Sequence, residues 1–108
     1  MAREKFQTLT EQMFYILLCL QKECCGMDIM GKVSEMTEGR VSIGPGTLYS
    51  LLDSFVKADM IYQTKVEGRR RSYLLTDIGT QALRSEYERL QAVACDYEKY
   101  NLKSEEDF

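Results

Sequence analysis

One cluster of helix-breaking residues, Gly44-Pro45-Gly46-Thr47, divides this chain, and it holds the only proline among 108 residues. Proline fixes φ near the helical value and has no N–H to donate, so it suits the first turn of a helix and disrupts any later one. The cluster therefore predicts a helix that starts there. Its apolar residues Leu48, Leu51, Leu52, Phe55 and Val56 recur at i, i+3, i+4, i+7 and i+8, the pattern of a helix with one buried side. The other side carries Thr47, Ser50, Asp53, Ser54 and Lys57, short polar residues with few long charges. Ala58-Asp59 ends the helix, with Asp59 where a left-handed residue is expected.

The segments around this helix are read from the same signals. Thr8 and Glu11 have the spacing of a capping box, and the apolar run Met13 to Leu20 predicts a first helix over about Leu9 to Glu23, buried on several faces. Cys24-Cys25-Gly26 breaks that pattern. A second helix over about Met27 to Thr37 places Ile29, Met30, Val33 and Met36 on one stripe and Asp28, Lys32 and Glu35 on the other. Beyond Asp59, the β-prone stretches Met60 to Val66 and Arg71 to Leu75 flank Glu67-Gly68-Arg69-Arg70, a hairpin signal with glycine in the turn. Thr76-Asp77 caps a last helix that runs to about Asn101 or Lys103, roughly 37 Å at 1.5 Å per residue. Leu83, Tyr87, Leu90, Ala94, Tyr97 and Asn101 recur along it in alternating steps of four and three, a coiled-coil-like seam, although Gly79 weakens its first turn. Residues 104–108 read as a frayed acidic tail.

Composition narrows the chemistry. With 44% hydrophobic and 29% charged residues, the chain fits one globular domain, and a domain this small leaves apolar surface for a partner subunit. There is no histidine, which removes the usual proton shuttle and the commonest metal ligand, so neither a catalytic site nor a cofactor is expected. Cys19, Cys24, Cys25 and Cys95 lack C-x-x-C spacing, and no metal site is expected from them. The apolar run near the N-terminus is too short to span a membrane and is preceded by mixed charges, so no membrane partner is expected and the cytoplasm is the natural location.

The overall charge of −3 conceals an uneven distribution. Residues 40–72 carry six basic and three acidic groups, whereas residues 73–108 carry four basic and eight acidic ones. A phosphate-facing surface can therefore lie only in the middle of the chain. The order helix, helix, helix, basic hairpin, long helix is that of a winged helix-turn-helix, mainly α with a small β-hairpin. In that arrangement the third helix enters the major groove of duplex DNA and the hairpin touches the neighbouring backbone. Residues 8–76 would form the winged helix-turn-helix and 77–103 a dimerisation helix packed on it. Arg40, Ser42, Gly46, Thr47, Tyr49, Ser50, Lys57, Lys65, Arg69, Arg70, Arg71 and Tyr73 are the candidate DNA-facing residues. Leu83, Tyr87, Leu90, Ala94 and Tyr97 are the candidate contacts of a homodimer.

Five blocks carry a resemblance: Leu9-Thr10-Glu11, Gly26-Met27-Asp28-Ile29, Gly44 to Tyr49, Gly68 to Tyr73, and Leu75-Thr76-Asp77-Ile78-Gly79. Together they resemble the successive signature blocks of the PadR family of transcriptional regulators, over about residues 8–100. The resemblance implies a homodimeric winged-helix protein, usually a repressor, that binds DNA through Thr47, Tyr49 and the wing arginines and dimerises through its C-terminal helix; a two-fold dimer of this kind is expected to read a roughly palindromic operator. The chain departs from the family in reading Cys25-Gly26-Met27 where a histidine-glycine-aromatic sequence is usual, and Asp59 where glycine is.

Three other readings stay open at this level. A small apolar effector could sit between the first helix and the partner's last helix, although no tryptophan is present to stack on a flat ligand. Cys24 and Cys25 could sense oxidation through an intersubunit bridge. The winged helix could also serve only as a protein-interaction module, in keeping with the acidic pI of about 5.0.

Overall fold

The computed structural model describes residues 8–102. Among these, the chain forms four helices and a three-stranded antiparallel sheet: α1 (Glu11–Cys19), β1 (Cys24–Cys25), α2 (Gly26–Met36), α3 (Pro45–Lys57), β2 (Ile61–Glu67), β3 (Arg70–Leu75) and α4 (Asp77–Tyr100). The sheet order is β1-β3-β2. The acidic tail expected at 104–108, and a helix end at Lys103, lie outside the described residues.

The first helix is shorter than its apolar run suggests. Thr10, not Thr8, is its N-cap, and the Thr10 hydroxyl accepts the Met13 N–H at 3.1 Å. It ends at Cys19, not Glu23, where the Leu20 N–H tightens onto the Leu17 carbonyl at 3.0 Å. The Leu20 carbonyl then accepts the Leu75 N–H at 3.0 Å, which turns the chain toward the sheet. Cys24 and Cys25 consequently form a short strand, paired with Tyr73 and Ser72 of β3, and Cys25 is also the N-cap of α2.

The turn from α2 to α3 is built around a buried threonine. Met36, expected on the buried stripe, is 45% exposed, and Thr37 faces inward instead. Its hydroxyl donates to the Val33 carbonyl at 2.8 Å and accepts the Val41 N–H at 3.1 Å, which closes the turn and drops Val41 and Ile43 into the core. The Gln12 amide on α1 adds a hydrogen bond to the Ser42 carbonyl at 2.9 Å. α3 is thereby fixed just before its first residue. Gly44 caps it, Pro45 opens it, and Leu48, Leu52 and Phe55 are buried, whereas Val56, expected on the same side, is exposed.

A Schellman motif closes α3: the Met60 N–H reaches the Phe55 carbonyl at 2.9 Å and the Asp59 N–H reaches Val56 at 3.0 Å. Asp59 takes φ 62°, as its position predicts. The hairpin pairs Glu67 with Arg70 around Gly68, whose φ of 63° meets the need of a two-residue turn. A bulge between Gln63 and Lys65 adds an irregularity that the sequence pattern does not reveal.

Thr76 caps α4 as expected, its hydroxyl accepting the Gly79 N–H at 3.0 Å. Gly79, a poor helix former, is required by packing, because a Cβ there would stand 1.9 Å from the Met60 carbonyl oxygen. Ala82 and Leu83 then complete a core of Ile16, Leu17, Leu20, Ile29, Leu48, Leu52, Phe55 and Met60. Leu83, expected on an intersubunit seam, is thus buried within its own chain. After Glu86 the helix runs exposed to Tyr100. No helix among the described residues is long and apolar enough to cross a membrane.

Candidate nucleic-acid interface

The first turn of α3 leaves Gly46, Thr47, Tyr49 and Ser50 exposed, because Leu48 and Leu52 take the buried side. Backbone N–H groups at such a helix start favour anionic oxygens. Tyr49 leans over Gly26, its ring 3.5 Å from where a Cβ on that residue would stand, and remains 43% exposed. A Cβ at position 26 would press first on the Leu52 side chain, at 3.2 Å.

The wing stands beside this surface. Arg69 and Arg71 join Tyr49 and Asp53 around a groove of about 430 Å³ between α3 and the hairpin, with Gly26 and Tyr73 also lining it. Period-two alternation along β3 explains why 71 and 73 share this side, and Arg69 reaches it from the turn. Arg70 points elsewhere and pairs with Asp28 of α2 at 3.1 Å, with both side chains about half exposed. The three wing arginines, alike in sequence, are therefore not alike in place.

Tyr73 is also set apart from the other candidates. It is only 7% exposed, since its strand position packs it against the core. Burial pushes its hydroxyl above the ordinary tyrosine pKa, opposed by the nearby Arg71 and reinforced by Asp53. Its ring is packed in the core while the residue still lines the groove, so any DNA contact it makes is confined to its hydroxyl end. Arg40, Ser42, Lys57 and Lys65 are exposed but lie outside the groove. Arg40 sits 3.8 Å from Glu11, and its guanidinium is held more firmly protonated by Tyr15 first and by the acids near it.

Two groups that sequence reasoning passed over hold positions of consequence. Asp28 reads as one more solvated helix charge until the wing folds back to it. Glu86 is 3% exposed, accepts the Leu9 N–H at 3.2 Å and pairs with Arg89 one turn on. That pair borders a second cavity, of about 290 Å³, lined by Leu9, Phe14, Tyr15 and Leu90. The spacing of Glu86 from the apolar Leu83 gave the only available signal, and it is shared by any amphipathic helix.

Along the rest of α4, Tyr87, Leu90, Val93 and Tyr97 present large apolar side chains to solvent, joined by Tyr100. The Cys24 and Cys25 thiols are poorly placed for redox sensing, whereas Cys95 on α4 is exposed. Cys24 and Cys25 are buried, and burial raises the Cys24 thiol and pushes Cys19 up to about 11. No group of acids and cysteines among the described residues could hold a metal ion.

Comparison with known proteins agrees with this arrangement. A transcriptional regulator from Clostridium thermocellum superposes with a TM-score of 0.72 at 23% identity, covering 82% of this chain and 91% of that one. A PadR-like transcription factor from Bacteroides fragilis gives 0.61 at 27% identity, over 79% and 87% of the two chains. Bacillus subtilis PadR, solved in complex with operator DNA, gives 0.62 at 26% identity, over 71% of this chain and 46% of that one. No curated protein sequence matches the chain. The model of the transcriptional regulator PadR-like family matches residues 16–85, from the middle of α1 through the wing and into α4, and the chain belongs to that family.

Proposed function

We propose that this PadR-like regulator is a repressor that binds a palindromic operator as a two-fold homodimer. α3 lies in the major groove, with Thr47, Tyr49 and Ser50 toward the bases, and the wing sets Arg69 and Arg71 against the neighbouring backbone. The observation that carries this reading is the convergence of Tyr49, Arg69 and Arg71 on one exposed groove, in a chain whose remaining surface is acidic. The complex of Bacillus subtilis PadR with operator DNA supports it. Tyr87, Leu90, Ala94 and Tyr97 of α4 meet the second subunit, because exposed large apolar side chains at that density call for a partner.

Selection from random duplex DNA at physiological salt tests the reading: an inverted repeat is expected, and no enriched sequence would refute it. Replacing Arg69 and Arg71 with alanine should flatten the slope of log K against log salt by about 1.8, roughly 0.9 per lost phosphate contact. The cavity between α1 and α4 supports a second element of the proposal, response to a small apolar effector bound beside Phe14, Tyr15 and Leu90. A library of small aromatic compounds that never shifts the thermal midpoint would remove that element alone.

A further inference from the structure

The groove between α3 and the wing contains one acid among its cations. Asp53 is exposed and lies four residues beyond Tyr49, so the two side chains leave α3 on the same side, one turn apart. Among the described residues it is the only acid lining the groove that Arg69 and Arg71 enter. Unlike Asp28, which is held by Arg70 at 3.1 Å, it forms no ion pair among the described residues. Its carboxylate is therefore available on a surface otherwise suited to phosphate.

We infer that Asp53 is a specificity-determining residue of the DNA interface, accepting a hydrogen bond from an amino-bearing base and disfavouring phosphate in the groove. The inference rests on the operator-binding reading proposed above. An ionised carboxylate has only acceptor sites, so a phosphate oxygen can offer it nothing but repulsion. The major groove presents two amino donors, N4 of cytosine and N6 of adenine, and a helix lying in that groove brings the carboxylate to one of them. An acid beside two arginines also lowers affinity for arbitrary duplex, so the site gains discrimination from what it repels as well as from what it accepts.

The test compares the full-length wild type with Asp53→Ala and Asp53→Asn in selections from random duplex DNA. The wild type should recover one position per half-site fixed as cytosine or adenine. Asp53→Ala should lose preference at that position by at least about fivefold, with the other positions kept. Asp53→Asn should retain or gain a preference for adenine, since an amide pairs with its N6 and N7. Both variants should bind a non-specific duplex about two- to fivefold tighter at low salt, the scale of one exposed like-charge contact. Identical selected motifs with unchanged non-specific affinity would overturn the role given to Asp53. A wild type that selects no motif would instead overturn the operator-binding reading on which it stands.

Discussion

At the scale of single residues, two positions matter whose residue type looks unfavourable or ordinary in sequence. Gly79 weakens the first turn of α4 by helix propensity, yet the Met60 carbonyl occupies the space a side chain would need. Gly79→Ala should destabilise the fold by about 3 kcal/mol, the upper range for forcing an added carbon into a packed site, and urea unfolding would measure it. Cys19 behaves like a small hydrophobe. Its thiol, raised from the ordinary 9.0 to about 11 chiefly by burial, stays protonated in the native chain where the unfolded chain has already ionised. The native state therefore holds a proton that the unfolded state releases, so the stability linked to this thiol is complete below pH 9 and is lost as pH rises to 11. Thermal melts over that window should fall more steeply for the wild type than for Cys19→Ala; parallel curves would show that the thiol is not buried as described.

At the scale of elements, the wing is positioned by more than its own hairpin. Its base is paired to β1, and Arg70 ties it to Asp28 on α2. That ion pair is exposed, so a double-mutant cycle of Asp28→Asn and Arg70→Gln should give a coupling of only about 0.5 kcal/mol in stability. A coupling several times larger would mean that the pair holds the wing in place. The helices were legible because each carries a local signal: Gly44-Pro45 for the start of α3, Thr76 for α4, and Asp59 for the left-handed close. β1 was not legible, since a strand of two residues has no periodicity of its own and exists only because β3 lies beside it. The early end of α1 was hidden for a related reason, because a run that is apolar on every side does not show where its helix stops.

At the scale of the whole molecule, α4 extends well beyond the core, giving the protein principal extents of 62 × 33 × 21 Å. The apolar side chains along its outer part touch little of their own chain. If the proposed dimer forms through α4, Leu90→Glu combined with Tyr97→Glu should leave the circular dichroism spectrum intact while converting it to a monomer in sedimentation, and affinity for the proposed operator should fall with it. Retention of the dimer would place the subunit contact elsewhere. Leu83 cannot be used in this test, because its removal would open the core of the single chain.

What the sequence determined by itself was the order of the four helices and the hairpin, the starts of α3 and α4, the left-handed close at Asp59, and the concentration of basic groups on the middle of the chain, since all of these depend on neighbours within a few residues. Tertiary structure alone decided which wing arginine meets an acid, which face of Tyr49 is covered, that Tyr73 and Leu83 are buried, and that Asp53 stands among cations. These depend on which segments approach one another in space, and residues tens of positions apart leave no periodic trace of that approach in a single chain.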